Sequence, residues 1–159
     1  MANIIYLSIE GKSQGLISSG CGSYDSIGNK WQKGHEDEIL VYELNNWVDR
    51  VDNVNYHPVE IRKPIDKSTP LLLTALNDNE YVECKFLFYR TNGNGSLEVY
   101  FSITLQNAKI NNIKMNYPNS VTHNDSQPDE MISFTYKTML CEHIKAGTSA
   151  YCLWESSLF

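Results

Sequence analysis

The chain has 159 residues, a formal net charge of −6 at pH 7, and a composition that is 42% hydrophobic and 11% aromatic. That length suits one domain with a core of its own, and that apolar share excludes wholesale disorder. Lys and Arg number 13 against 19 Asp and Glu, and the absence of any basic run excludes a nucleic-acid binder, because neutralising phosphates needs clustered cations.

Ile5, Leu7 and Ile9 alternate with Tyr6, Ser8 and Glu10, which predicts a half-buried first strand. Met1 to Gly11 carries no basic segment, and Glu10 interrupts its apolar run. It reads as a strand and not as a signal peptide. No apolar run of the roughly 18 residues that a spanning helix needs occurs, so no membrane insertion is expected. The protein is expected to fold in the cytoplasm and to leave, if it leaves, by a route that reads no N-terminal signal.

Leu16 to Lys33 is rich in Gly and Ser and predicts a long loop. His35-Glu36-Asp37-Glu38 could suggest metal binding, but reads better as a solvated lead into a strand. In the strand that follows, Leu40, Tyr42 and Leu44 are expected on one face and Val41, Glu43 and Asn45 on the other. The polar stretch from Asp49 to Asn55 predicts a loop. Val59 and Ile61 predict a short strand ending before Pro64.

The spacing then predicts one short helix over about 69–77. Ser68 or Thr69 can cap its free amides, and Pro70 suits the first turn. Leu72, Ala75 and Leu76 share a face, with Leu73 beside them. A helix this short must pack against a sheet to persist.

The second half predicts strands. Val82, Cys84, Phe86 and Phe88 alternate with polar residues, and Asn92-Gly93-Asn94-Gly95 supplies a tight hairpin turn. The return strand places Leu97, Val99, Phe101, Ile103 and Leu105 on one face. The apolar phase slips at Gln106-Asn107 and again before Ile113, which predicts β-bulges that bend the strand. A last strand places Ile132, Phe134, Tyr136, Thr138 and Leu140 on one face and Met131, Thr135, Lys137 and Met139 on the other. The fold class is mainly β: an antiparallel β-barrel or sandwich with one short α-helix packed against it.

No catalytic constellation is found: the chain has no GxSxG, no HExxH and no phosphate-binding loop. His123-Asn124-Asp125 could form part of a dyad, but no nucleophile at matching spacing can be named. Cys21, Cys84, Cys141 and Cys152 are widely spaced and are expected as free thiols. Cys141, Glu142 and His143 with Cys152 fall short of a compact zinc ligand set, so packing is the adopted reading and no metal or cofactor is expected. Trp31, Trp47 and Trp154 could stack on sugars, which leaves an adhesin or carbohydrate-binding module as the alternative function; core or interface packing is the plainer account.

Several segments carry a resemblance. They are Met1 to Leu7, Gly15-Leu-Ile-Ser18, Tyr24-Asp-Ser-Ile-Gly28, His35 to Tyr42, Lys63-Pro-Ile-Asp-Lys-Ser-Thr-Pro-Leu-Leu-Leu73, Tyr117-Pro-Asn-Ser120, Thr122-His-Asn-Asp125 and Gly147-Thr-Ser-Ala-Tyr151. Together they resemble the haemolysin-coregulated protein (Hcp) family of type VI secretion, in its enterobacterial branch. The resemblance implies a structural tube subunit and no enzyme. It implies homohexameric rings that stack head to tail inside a contractile sheath, beneath a VgrG spike, and carry effector proteins in the lumen. By the same resemblance, Asp49, Arg50, Asp52, Asn53, Asn55 and Tyr56 belong to a loop that reaches the next ring. Glu43 and Asn45 face the lumen, and Asp66, Lys67, Ser68, Thr69 and Pro70 form the signature at the helix cap. The chain ends at Phe159, soon after Trp154, so one Hcp-like domain over 1–159 is expected, with no fused C-terminal toxin domain.

Overall fold

A computed structural model describes residues 3–154. In chain order the elements are β1 (Ile4–Gly11), β2 (Gly15–Leu16), α1 (Tyr24–Ile27) with a 3-10 turn at Gly28–Lys30, β3 (Ile39–Val41) and β4 (Glu43–Asn45). There follow β5 (Val48–Arg50), β6 (Val54–Tyr56), β7 (Val59–Pro64), α2 (Ser68–Asn77), β8 (Val82–Thr91) and β9 (Leu97–Asn116). The last three are β10 (Asp129–Thr135), β11 (Thr138–His143) and β12 (Thr148–Leu153). The protein is mainly β and every strand pair is antiparallel.

Ten strands form one sheet in the order β2-β1-β8-β9-β10-β7-β4, with β3 on β1 and β11 joining β9 to β12. The pairing does not close a full barrel. Its two ends are nevertheless linked, because β3 lies on β1 while β4, directly after it, lies on β7. The Tyr42 amide between them donates to the Arg62 carbonyl at 2.7 Å. β5 and β6 form a separate two-stranded sheet.

β9 lets one sheet wrap a core. Its first half lies between β8 and β11 and its second half against β10. Both expected phase slips are present. Between the pairs Val82–Ala108 and Cys84–Leu105 β9 holds one extra residue, and Asn107 takes φ 50°. The second extra residue lies between the pairs Phe134–Ile110 and Ser133–Asn112. Each bulge bends the strand and returns an apolar residue to the inside. Leu105, Ala108 and Ile110 are therefore all buried.

The core gathers Leu7, Ile9, Ile39, Ile61, Leu72 and Leu105 around Phe86 and Phe134, whose rings meet edge to face at 6.4 Å. Leu72 and Ala75 fix α2 to this core, while Leu73 is half exposed, just off the buried stripe.

The structure corrects several sequence expectations; β7, for one, runs through Pro64 and does not end before it. The Gly-rich stretch after β2 contains α1 and the 3-10 turn, held by local bonds such as Ile27 N–H to the Ser23 carbonyl at 3.0 Å. The strand from Ile39 bends at Tyr42, so Ile39 and Val41 point inward, Tyr42 is exposed, and only Leu44 resumes the inner face. The long last strand is two, β10 and β11, because β10 pairs with β7 and β9 whereas β11 pairs with β9 and β12. His35 is not solvated: its ring stacks on buried Tyr6 at 4.0 Å and meets Tyr89 edge-on at 5.3 Å.

The turn after β1 is held by a side chain distant in sequence. Glu80 Oε2 accepts the Ser13 and Gln14 amides at 2.9 and 3.0 Å, and Oε1 accepts Gln14 Nε2 at 3.2 Å. Gly11 leaves room for it, since a Cβ there would stand 2.1 Å from Glu80 Oε2. Burial raises the Glu80 carboxyl, but the bonds from Gln14 and Ser13 outweigh it and hold it below its usual range. A lowered carboxyl stabilises the fold above its unfolded value and loses that contribution as pH falls. Glu80→Gln should therefore lose about 1–3 kcal/mol at pH 7. Its deficit against the parent in urea unfolding should shrink as pH drops into the acid range; a deficit independent of pH would rule out this role for the carboxylate.

Candidate assembly surface

Three surfaces hold the residues singled out by sequence. The first is the β5–β6 hairpin. Asp49 to Asn55 was expected as a loop; alternating side chains across Val48–Tyr56, Asp49–Asn55 and Arg50–Val54 instead pair as strands. Asp49 organises its base. Its Oδ1 accepts Asn55 Nδ2 at 3.0 Å, and its Oδ2 meets His57 Nε2 at 3.0 Å. These contacts, that of Asn55 foremost, hold the Asp49 carboxyl below its usual range. Trp47 stacks on His57 at 4.2 Å. At the tip, Arg50 Nη1 donates to the Asp52 carbonyl at 3.4 Å, and Val51 is 85% exposed. Asp52 and Asn53 are exposed beside it. Tyr56 differs: it is half-buried and packs against Trp154 and Tyr136, ring centroids 6.2 and 6.3 Å away. The hairpin thus has an anchored base and a solvated tip.

The second surface is the outer face of β4, β7 and β10. Glu43 and Asn45 are exposed there and bonded to each other, Asn45 Nδ2 to Glu43 Oε1 at 2.9 Å. Arg62 lies between Glu43 Oε2 at 3.6 Å and Asp129 Oδ2 at 3.3 Å. A groove of about 580 Å³ runs beside it, lined by Lys30, Tyr42, Arg62, Gln127 and Asp129 among others. The face is polar and mixed in charge.

The third is the Asp66-Lys67-Ser68-Thr69-Pro70 signature at the start of α2. The cap is Asp66, not the expected Ser68 or Thr69. Asp66 Oδ1 accepts the Ser68 amide at 2.8 Å and the Ser68 hydroxyl, while Thr69 Oγ1 accepts the Asp66 amide at 3.1 Å. This reciprocal pairing is a capping box with Thr in the return position. Pro70, in the same turn, needs no amide donor there. Lys67 uses its amide on Ser26 Oγ at 2.9 Å, which ties α2 to the segment around α1.

Sequence reasoning missed what the cap is attached to. Lys63 on β7 is fully buried, and its Nζ donates to Asp66 Oδ1 at 2.9 Å, to the Pro64 carbonyl at 2.9 Å and to Glu130 Oε1 on β10. Thr69 Oγ1 donates to the same Glu130 oxygen at 3.0 Å. The signature joins α2 to two core strands through a buried ion network. The one available signal was a Lys at an inward strand position, in phase with Val59 and Ile61.

The other candidates are not brought together. The partner of His123 Nδ1 is Thr122 Oγ1 at 2.8 Å, not Asp125. Trp31, Trp47 and Trp154 are separate, and among the described residues no two of their rings stack. Cys21 and Cys84 are buried, Cys141 and Cys152 half-buried, and all four are free thiols. Burial pushes the Cys21 thiol up to about 12, with Asp66 adding to it. Among the described residues no three His, Cys, Asp or Glu side chains gather as a metal site, and no helix is long and apolar enough to cross a membrane.

The chain is thus an antiparallel sheet wrapped on a core, with a short helix packed against it and a separate two-stranded hairpin. The comparisons with known proteins show its family. The family described as "Type VI secretion system effector, Hcp" matches residues 6–143. The major exported protein of Pseudomonas aeruginosa is 35% identical over 173 aligned positions, covering 98% of each chain. A crystal structure of an Hcp protein superposes with a TM-score of 0.91 at 33% identity, over 98% of this chain and 99% of that one. The secreted protein Hcp3 from Pseudomonas aeruginosa gives 0.87 at 36% identity, over 98% of this chain and 100% of that one. Escherichia coli YhhZ, an uncharacterised protein, is 40% identical over 149 residues, covering 93% of this chain but only 37% of YhhZ. The chain belongs to the Hcp family of type VI secretion proteins.

Proposed function

We propose that this chain is a subunit of the type VI inner tube, secreted as homohexameric rings that stack head to tail and carry effector proteins in the lumen. The observation that carries this reading is the β5–β6 hairpin. It is a sheet of its own with an anchored base and a charged, solvated tip, the build of an element that reaches a neighbouring copy. Asp49, Arg50, Asp52, Asn53 and Asn55 are its stacking contacts. Heterologous contacts close into rings when the rotation per copy divides a full turn. Glu43 and Asn45 are the lumen contacts for cargo. Contractile sheath proteins surround the tube and a VgrG spike caps it. The subunits assemble in the cytoplasm and are expelled to the outside or into a target cell, and the protein has no catalytic role.

Each subunit adds a charge of −6, so assembly works against self-repulsion and should strengthen with salt over the range where screening becomes effective. Light scattering coupled to size exclusion should give a mass near six subunits, and negative-stain images should show rings with a central hole. A monomer at tens of micromolar, at both low and physiological salt, would overturn the proposal.

A further inference from the structure

Two Asn-Gly steps follow one another in the turn between β8 and β9, Asn92-Gly93 and Asn94-Gly95, and no other asparagine in the chain precedes a glycine. Such a step can modify itself. The backbone nitrogen of the glycine attacks the side-chain Cγ of the asparagine before it, and glycine has no Cβ to hinder that approach. Open space surrounds both glycines, since a Cβ at either would meet nothing within 4 Å. Exposed loop tips also undergo the local opening that the attack needs. Sequence alone does not separate the two steps.

The structure does separate them. Asn92 is tied down: its Oδ1 accepts the Asn94 amide at 2.9 Å and the Ser96 amide at 3.0 Å. Its own amide donates to the Ser96 carbonyl at 2.8 Å, and the residue is half-buried where the chain leaves β8. This is the side-chain turn that asparagine makes with the backbone two residues on. Its carboxamide must give up two bonds before Cγ can swing onto the Gly93 nitrogen. Asn94 is exposed, and its side chain makes no hydrogen bond among the described residues. The one bond in the way belongs to the attacking group, from the Gly95 amide to the Asn92 carbonyl at 3.1 Å. It lies in an exposed turn, where backbone bonds open readily.

We propose that Asn94 is a site of spontaneous deamidation and that Asn92, two residues before it, is protected by the turn. The Gly95 nitrogen loses its proton and bonds to Asn94 Cγ. The bond from Cγ to Nδ2 breaks, and Nδ2 leaves as ammonia with that proton. Water then opens the resulting succinimide ring at either carbonyl, leaving aspartate or isoaspartate at position 94. No oxidant, reductant or enzyme takes part. The attacking nitrogen must first be deprotonated, so the rate rises with pH. Either product adds one negative charge to the chain's −6, and isoaspartate also adds a methylene to the main chain of the turn.

The experiment ages the folded, full-length protein in mildly alkaline buffer and follows it by peptide mapping, with fragmentation that distinguishes isoaspartate from aspartate. Conversion at Asn94 should exceed that at Asn92 by about fivefold, the factor that one extra hydrogen bond to be broken is typically worth. In strong denaturant the two should convert at similar rates, because the bonds that hold Asn92 are gone. Asn94→Gln should remove most of the acidic species that ion exchange resolves in the aged parent, since glutamine cyclises far more slowly. Circular dichroism checks that this variant folds as the parent does. Equal conversion at the two steps in the folded protein, or faster conversion at Asn92, would overturn the proposal. So would an Asn94 that stays intact in the folded protein while the denatured chain converts, or an undiminished acidic species in folded Asn94→Gln.

Discussion

Lys63→Met should lower folding stability by about 3–5 kcal/mol, the loss typical when one partner of a buried ion pair is removed. Lys63, Asp66 and Glu130 have no side-chain exposure, and one ammonium serves both carboxylates. Methionine matches the lysine stem in volume, so packing survives and the cost is electrostatic. It leaves two carboxylates in the core without a cation, and Asp66 Oδ2 and Glu130 Oε2 have no hydrogen-bond partner among the described residues to soften this. Urea unfolding should show a lower midpoint at an unchanged slope. Adding Glu130→Leu to Lys63→Met should recover part of the loss, because it removes a stranded charge. Adding Asp66→Leu should recover less, because Asp66 also caps α2 through Ser68 and Thr69. A cost below about 1 kcal/mol for Lys63→Met alone would place this network among weakly contributing ion pairs.

That network shows why some of the molecule is legible in its sequence and some is not. Periodicity reports which face of an element is buried, so β1, β8 and the two expected bulges of β9 follow from apolar phase, and the turn at Asn92–Gly95 from its Asn and Gly residues; a third bulge, between the pairs Phe88–Phe101 and Tyr89–Val99, leaves no such mark. Periodicity carries no information about partners. The strand read through Ile132 to Leu140 keeps its alternation across Tyr136–Lys137, yet the chain leaves β7 for β12 at that point, a change made only by pairing. Likewise Asp49 to Asn55 is polar on both sides because its hairpin has no core beneath most of it. Hydrophobic patterning cannot find such a strand, and the resemblance alone drew attention to the segment. The signature from Asp66 to Pro70 was visible, but its attachment to Glu130, through Thr69, reaches across 61 residues of sequence.

Asp52→Arg should impair the stacking of rings while leaving each ring intact. The side chain stands at the hairpin tip, where Arg50 contacts the Asp52 carbonyl and not its carboxylate. The carboxylate is therefore available to a neighbouring copy, and reversing its charge disturbs nothing inside the subunit. A single exposed contact of this kind is worth only about 0.5 kcal/mol. In the proposed hexameric ring every subunit presents the contact, however, and six such losses acting together would weaken ring-on-ring association by about a hundredfold. Sedimentation at high protein concentration should then show single rings where the parent forms stacks, with the ring mass unchanged by light scattering. Raised salt should narrow the difference, since the contact is solvent-exposed. Tyr56→Ala serves as the contrast. Its ring lies on Trp154 and Tyr136, so its removal should lower the unfolding midpoint as well as stacking, whereas Asp52→Arg should leave that midpoint where it was. Loss of the ring together with the stack in Asp52→Arg would move the hairpin from the contact between rings to the contact within one.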